Sequence, residues 1–440
     1  MRVLVIGSGG REHALIWALK QTSASLVKLY CAPGNGGIAQ LAECVNIATD
    51  NHSALMDFAR ANAIDLTIVG PEAPLANGIV DEFHNHDLKI AGPSRAAARL
   101  EASKAFAKDF MRRHTIPTAD YVIANSSKEA LRAVRSGRFG DEHAPLVVKA
   151  DGLAAGKGVV VAQSRAEAQQ AIAELLRGTL VAKEAASQIL VEEALEGREV
   201  SVLLFVDGTD FALMPAARDH KRIGENDTGP NTGGMGAITD EPVLDAKTLD
   251  QIVREIIEPT LSGAIKEGFP FRGILFVGLM LTADGPKVLE YNVRLGDPET
   301  QAVLIRLESD LFEIFQAMVE GRLREVDVRW KKGSSACVVL ASGGYPGAYE
   351  TGQRIEGLDR VIVGPELQVF HAGTSWSERG ELVTAGGRVL GVTAQQPTLD
   401  EALAQCYGAI DQIDWPGKQY RRDIGGFATR QKARSSESGL

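Results

Sequence analysis

The chain has few cysteines, no long apolar run and no excess of positive charge, and each absence closes off a class of function. Cys31, Cys44, Cys337 and Cys406 are widely spaced and form no Cys-x-x-Cys pair. That pattern offers no zinc or redox motif and suits free thiols in a reducing compartment. No apolar run approaches the length of a bilayer span, and Met1–Ile6 is too short for a secretory leader core before Gly7 stops it. A cytoplasmic protein with no membrane partner is expected. Acidic residues outnumber basic ones, 57 to 47, for a formal charge of −10. Nucleic acid is therefore not the expected partner. Small anionic substrates stay open, because a phosphate site needs only local donors. Internal repeats and low-complexity blocks are also missing.

What the 440 residues do hold is room for two to four domains. Up to about residue 100, short apolar runs (Arg2–Ile6, Leu26–Cys31, Leu66–Val69) alternate with helical spacing (Glu12–Lys20, Leu55–Asn62). That alternation predicts a parallel sheet with helices on its faces. Ser103 is placed to cap a helix reaching Arg113. Strands are expected at Leu146–Ala150, Val159–Ala162, Ile189–Glu193, Val200–Val206, Gly273–Leu281 and Pro286–Asn292. Helices are expected at Gln163–Arg177, about Leu249–Glu267 and Glu299 to about Glu320. Residues 219–236 read as a long, polar, Gly-rich loop, and long loops in compact domains carry function. From about Trp330 short β segments dominate: Ser335–Ala341, Arg360–Val363, Val369–Gly373, Leu382–Ala385 and Arg388–Thr393. A helix at Leu399–Ile413 and a frayed polar end follow. The fold class is α/β in the mixed sense, α+β overall.

The segment Val288–Glu299 is the most informative. Residues two apart on a strand share a face, so Glu290, Asn292 and Arg294 point together. Glu and Asn offer the hard oxygens that Mg²⁺ accepts alongside substrate phosphates. Arg adds a planar grip on phosphate oxygens. An edge strand with a solvated polar face is the plain alternative.

Two glycine-rich turns look like nucleotide motifs and are not the familiar ones. Gly7-Ser8-Gly9-Gly10-Arg11-Glu12-His13 puts a turn at a helix start, where backbone N–H groups bind anions. The dinucleotide fingerprint needs Gly where Glu12 stands, and the next strand ends without the required acid. A phosphate on a smaller substrate survives both failures. Lys149–Val159 puts a lysine on a strand ahead of a Gly-rich hairpin that could close on phosphates. It is not a Walker A loop, because three residues separate Gly152 from Gly156 and Gly158 follows Lys157. Glu192–Glu199 could offer backbone groups to an adenine edge and a carboxylate to ribose hydroxyls.

Taken with Gly92–Met111, Asp219–Ala237, Arg294–Glu299, Gly344–Gly347 and Val369–Thr374, these motifs resemble the glycinamide ribonucleotide synthetase (phosphoribosylamine–glycine ligase) family of the ATP-grasp superfamily. The resemblance covers most of the chain. It implies an N-terminal biotin-carboxylase-like domain over 1–102. A two-part ATP-grasp domain follows over 103–328, with a mobile lid at about 118–193. A small β-rich domain over 329–428 and a flexible tail over 429–440 complete the chain. It implies ligation of glycine to 5-phosphoribosylamine with ATP through glycyl phosphate, by a monomer or weak dimer.

The same resemblance distributes roles. Lys104, Lys149, Gly152, Gly156, Lys157 and Gly158 would hold ATP phosphates. Glu192, Glu193 and Leu195 would hold adenine, and Glu199 ribose. Glu290 and Asn292 would ligate Mg²⁺ or Mn²⁺. Arg294, Asp219 and Lys221 would be catalytic. Gly9, Gly10, Arg11, Glu12, His13, Asn35, Gly36, Gly37, Pro71 and Glu72 would contact the ribosylamine. Asn231, Thr232, Gly233, Gly234, Met235, Asp297 and Pro298 would enclose glycine and the amine. The strand Gly273–Gly278 carries no second metal carboxylate. Rival readings are another ATP-grasp ligase, a nicotinamide-dependent oxidoreductase and a non-catalytic nucleotide-binding regulator.

Overall fold

The computed structural model describes residues 1–26, 28–154, 158–178 and 188–426. Gly156, Lys157 and the 429–440 tail lie outside them. Three sheets organise the chain. The first is parallel throughout, in the order Glu43–Cys44, Lys28–Pro33, Arg2–Gly7, Leu66–Val69, Ile90–Ala91. Val3 to Gly7 are all buried, as central parallel strands covered by helices require. The helix Gly10–Thr22 leaves this sheet. It is buried from Gly10 to Leu19 because other helices and the C-terminal region pack around it.

The second sheet is antiparallel and small: Tyr121–Ala124, Ile189–Glu193, Leu146–Ala150, Val159–Ala162. Helices Ser127–Arg135 and Arg165–Arg177 close one separate apolar core over it. The third sheet is long. It runs Gly285–Asn292, Arg272–Thr282, Arg198–Asp207, Ala217–Asp219, Gly236–Thr239, Ser334–Ala341, Arg388–Gln396, Leu367–His371, with Phe211–Leu213 at its flank. Gly236–Thr239 pairs with Ser334–Ala341. The β-rich C-terminal region thus continues the sheet that carries Glu290.

Ser103 caps Lys104–Arg113 by accepting the Phe106 N–H at 3.0 Å. Several segments differ from the sequence reading. The helix expected over Glu299–Glu320 is two, Glu299–Leu304 and Leu311–Glu320. Asp310 starts the second by accepting the N–H groups of Phe312 and Glu313. Residues 219–236 are not structureless: Arg222–Gly224 pairs with Thr228–Asn231 as a small hairpin. Arg360–Val363 forms no strand, and its Ile362 is 90% exposed. The long helix near 250–266 widens into a π turn at Val253–Ile257, one residue short of the turn holding Pro259, which lacks a donor. No helix among the described residues is long and apolar enough to cross a membrane.

Candidate active site

The strand Gly285–Asn292 lies at the edge of the long sheet, against Arg272–Thr282. Glu290 stands opposite Gly278 and Asn292 opposite Phe276. The partner strand therefore offers no second acid at either position. The pairing slips between Gly278 and Leu279, which leaves Leu289 out of register. Its freed carbonyl accepts a hydrogen bond from Lys149 Nζ at 3.1 Å. Lys149 is carried by the small sheet, so the two sheets meet at this atom.

Three lysines gather here. Lys149 Nζ also lies 2.9 Å from Glu192 Oε2, which Lys108 Nζ meets at 3.0 Å. Glu192 is 1% exposed, and its other oxygen has no partner among the described residues. Lys104 donates to the Gly152 carbonyl at 3.1 Å. The loop holding Gly152 is sewn to the same helix start: Asp151 Oδ1 accepts from Ala105 N at 2.7 Å and Ser103 Oγ at 3.0 Å. Gly158 closes the described side of the loop, its carbonyl accepting from Ala150 N. Glu193 accepts from Asp120 N, and Leu195 is half-buried at the sheet junction. Next to it, Gly197 has φ +156°, and a side-chain carbon there would overlap the Leu281 carbonyl.

Glu290 is the electrostatic focus. Burial pushes its carboxyl up, but Lys221, Lys149, Lys104 and Arg294 together outweigh that and hold it below the usual range. Lys221 meets Glu199 at 2.9 Å. Against desolvation, Asp219, Glu199 and Glu290 hold the Lys221 ammonium well above its ordinary value. Asp219 is pushed up to about 6 by burial, with Glu199 and Glu290 adding to the rise and Lys221 opposing it. Glu299 rises to about 7, by burial and then by Asp219. Its side chain folds back over Gly296, where an added carbon would lie 2.5 Å from Oε2. Asp219 and Glu299 are thus two desolvated acids, with the Asp219 charge disfavouring the ionised form of Glu299.

Arg294 is locked rather than free. Its guanidinium meets Glu101 Oε1 at 3.0 Å, Glu72 Oε2 at 3.3 Å and Asn292 Oδ1 at 3.1 Å. Glu101 Oε2 also accepts from Val293 N at 2.7 Å. Pro71 caps the short helix that presents Glu72.

The loops expected to hold substrate converge from three directions. Glu12 is 2% exposed and serves the loop itself: its oxygens accept from Gly9 N at 2.6 Å and Arg11 Nε at 2.7 Å. Arg11 reaches on to the Leu295 carbonyl. Gly10 packs against the Gln301 amide, which would have to move for a side chain there. His13 Nδ1 accepts from His371 N at 2.8 Å, which fixes an unprotonated nitrogen there. Asn35 bridges Ser8 and His371 carbonyls through Nδ2, and its Oδ1 accepts from Gly37 N and Ile38 N. Gly36 pairs with Thr374 and accepts from Trp376. Glu12, His13 and Asn35 therefore build the loops, their side chains taking up the Gly9, Gly37, Ile38 and His371 N–H groups.

On the opposite wall, Thr232 Oγ1 donates to the Lys221 carbonyl and accepts from Gly234 N. Gly234, at φ +111°, leaves room for Pro298. Met235 is fully buried, and Asn231 ends the hairpin. Arg388 ties this wall to the motif after Arg294: it donates to the Gly233 carbonyl at 2.6 Å and the Asp297 carbonyl at 2.7 Å, and meets the Asp297 carboxylate at 3.0 Å. The sequence reading had not singled out Glu101, Lys108, Glu299 or Arg388 as site residues. Glu101, Lys108 and Glu299 lay inside quoted motifs. Arg388 did not, and only the fold brings it in.

Among the described residues, no group of three or more His, Cys, Asp or Glu side chains could hold a metal alone. Glu290 and Asn292 supply one carboxylate and one amide oxygen, both half-exposed. That donor set fits a hard cation that keeps waters and takes its remaining ligands from phosphates.

A small antiparallel sheet joined to a long one, with a lysine of the first bonding the backbone beside a carboxylate of the second, defines an ATP-grasp protein. The phosphoribosylglycinamide synthetase N domain matches residues 1–101, its ATP-grasp (A) domain 102–300 and its C domain 335–426. A phosphoribosylamine–glycine ligase of Brucella melitensis is 48% identical, over 98% of this chain and all of the relative. The crystal structure of a phosphoribosylamine–glycine ligase from Thermotoga maritima superposes with a TM-score of 0.81 at 35% identity, covering 96% of this chain and 100% of that one. A biotin carboxylase–β,γ-ATP complex from Campylobacter jejuni shares the fold alone, with a TM-score of 0.71 at 14% identity over 96% and 93% of the two chains. The chain belongs to the phosphoribosylglycinamide synthetase family.

Proposed function

We propose that this cleft joins glycine to 5-phosphoribosylamine at the expense of ATP, through a glycyl phosphate, as a step of purine biosynthesis. A carboxylate does not react usefully with an amine, because oxide is a very poor leaving group. Phosphorylation of glycine replaces it with phosphate. The work left to the protein is placement and charge neutralisation.

The residues divide that work. Lys104 and Lys149 hold the phosphate tail, with Gly152 and Gly158 beside it. Glu192 and the backbone from Glu193 to Leu195 take adenine, and Glu199 takes ribose. Glu290 and Asn292 would hold Mg²⁺ or Mn²⁺, which when bound screens the charge of the phosphate tail. Arg294 is held in place by Glu72 and Glu101 beside the transferred phosphoryl. Lys221 and Asp219 face the amino acid, and the Asp219–Glu299 pair accepts the proton that the attacking amine gives up. The helix start at Gly10 and Arg11, with the Asn35–Gly37 loop and Pro71 beside it, takes the ribosylamine phosphate. Asn231 to Met235, with Asp297 and Pro298, keep water from the acyl phosphate. The four cysteines are free thiols, which suits a cytoplasmic enzyme. We take it to act as a monomer or weak dimer.

One observation carries this reading: Lys149 of the small sheet bonds the Leu289 carbonyl at 3.1 Å beside Glu290, and the charges of Lys221, Lys149, Lys104 and Arg294 together hold the Glu290 carboxyl low. The test is ADP release with each substrate omitted in turn. Release should need ATP, glycine and phosphoribosylamine together. Equal release without glycine, or with bicarbonate in its place, would contradict the reading.

A further inference from the structure

The hairpin of Arg222–Gly224 and Thr228–Asn231 springs from the Asp219–Lys221 corner of the site, yet it sends no side chain into the apolar core. No residue from Lys221 to Asn231 is buried. Its tip is also costly: Asn226 and Asp227 both sit in the left-handed region, at φ 55° and 54°, without being glycine. A two-stranded hairpin in this condition does not stay in one place by itself.

A segment nearly two hundred residues later supplies what the hairpin lacks. Arg421 is 1% exposed, among the largest fully buried side chains of the protein. A buried guanidinium is tolerated only when its donors are used, and here they are divided between two partners. Nε and Nη2 grip the Asp423 carboxylate at 2.8 Å each. Nη1 reaches into the hairpin, to Asp227 Oδ1 at 2.8 Å and the Arg222 carbonyl at 3.0 Å. Asp423 Oδ2 then accepts the Asn226 N–H at 2.7 Å, and Arg422 N donates to Glu225 Oε1. At the root of the hairpin, Gly425 N donates to His220 Nε2 at 3.0 Å. Root and strained tip are therefore both fastened to the same short strap. The strap has its own anchors: Ile424 is in the core, and the Arg421 carbonyl accepts from Tyr407 Oη.

We propose that Arg421 is a positioning residue for the ligase reaction. Through Asp423 and Asp227 it pins the hairpin so that Lys221 and Thr232, at its two ends, face the amino-acid site. It touches no reacting atom. The proposal rests on the reading of the 219–236 segment as the cover of that site.

The experiment compares the full-length enzyme with Arg421→Lys, which keeps the charge but loses the fork, and with Asp227→Asn, whose side chain is 43% exposed and cannot disturb the core. Hydrogen exchange of peptides spanning 222–231 should quicken by about tenfold or more in both, with Ser334–Ala341 still protected. The KM for glycine should rise about tenfold while the KM for ATP stays within about twofold. Unchanged hairpin exchange in both variants overturns the strap. Faster exchange with an unchanged KM for glycine overturns the hairpin's place at the amino-acid site, and the positioning role with it. If Arg421→Lys fails to fold, Asp227→Asn decides alone.

Discussion

Lys149 Nζ bonds the Leu289 carbonyl at 3.1 Å, and that one contact joins the small sheet to the strand that carries Glu290. It exists because the strand pairing slips by a residue and leaves Leu289 without a partner across the hairpin. The same ammonium meets Glu192, so a single group ties the strand Ile189–Glu193 to the strand that carries Glu290.

Lys149→Met should therefore weaken nucleotide binding and stability together. Glu192 would keep only Lys108 inside the protein. The KM for ATP should rise by about 10–100-fold, and thermal unfolding should report a loss of about 1–3 kcal/mol. Initial rates over a range of ATP, with a melt of the same preparation, check both.

Glu101 is expected to matter through Arg294. It is 8% exposed and holds both the guanidinium and the Val293 N–H. Glu101→Gln keeps the size but halves the grip. The turnover number should fall by about 10–100-fold with the KM for ATP little moved. A variant with normal kcat would show that Arg294 needs no such support.

At Gly197, substitution should be structural and severe. The backbone there is at φ +156° and passes against the Leu281 carbonyl. Gly197→Ala should cost about 2–4 kcal/mol by denaturant melt. The nucleotide site should fail with it, since Glu199 lies two residues on.

Much of this was legible in the sequence, for identifiable reasons. The alternation that puts Glu290, Asn292 and Arg294 on one face is a local property of strands. So is the Ser103 cap. The N-terminal parallel sheet followed from apolar runs alternating with helical spacing. What was hidden depends on long-range pairing. The bulge at Leu289 comes from register with another strand, and nothing local marks it. The split at Asp310 needs the knowledge that a capping side chain finds its N–H groups there. The 219–236 segment reads as a loop, and its hairpin stays hidden because Arg421 and Asp423, almost two hundred residues away, help to hold it. Glu12 and His13 enter as ligand contacts through the family resemblance, and the partners their side chains find within the protein, in Gly9, Arg11 and His371, have no local signal.

Acid should destabilise the fold through three buried histidines. Burial, reinforced by His371, holds His13 down at about 3, and His220 and His371 lie at about 4, against an ordinary 6.5. A histidine kept neutral in the fold contributes its stability above 6.5. That contribution is lost as pH falls toward the folded value, because the unfolded chain takes up the proton first. At pH 5 each would cost about 2 kcal/mol. Denaturant midpoints measured between pH 7.5 and 5 should fall steadily. A His13→Asn variant should show a shallower decline.

The most direct measurement is a crystal structure with a non-hydrolysable ATP analogue and Mn²⁺, located by anomalous scattering. The account predicts one ion in contact with both Glu290 and Asn292, with the phosphate tail reaching Lys104 and Lys149. An ion and triphosphate bound away from that pair would contradict it.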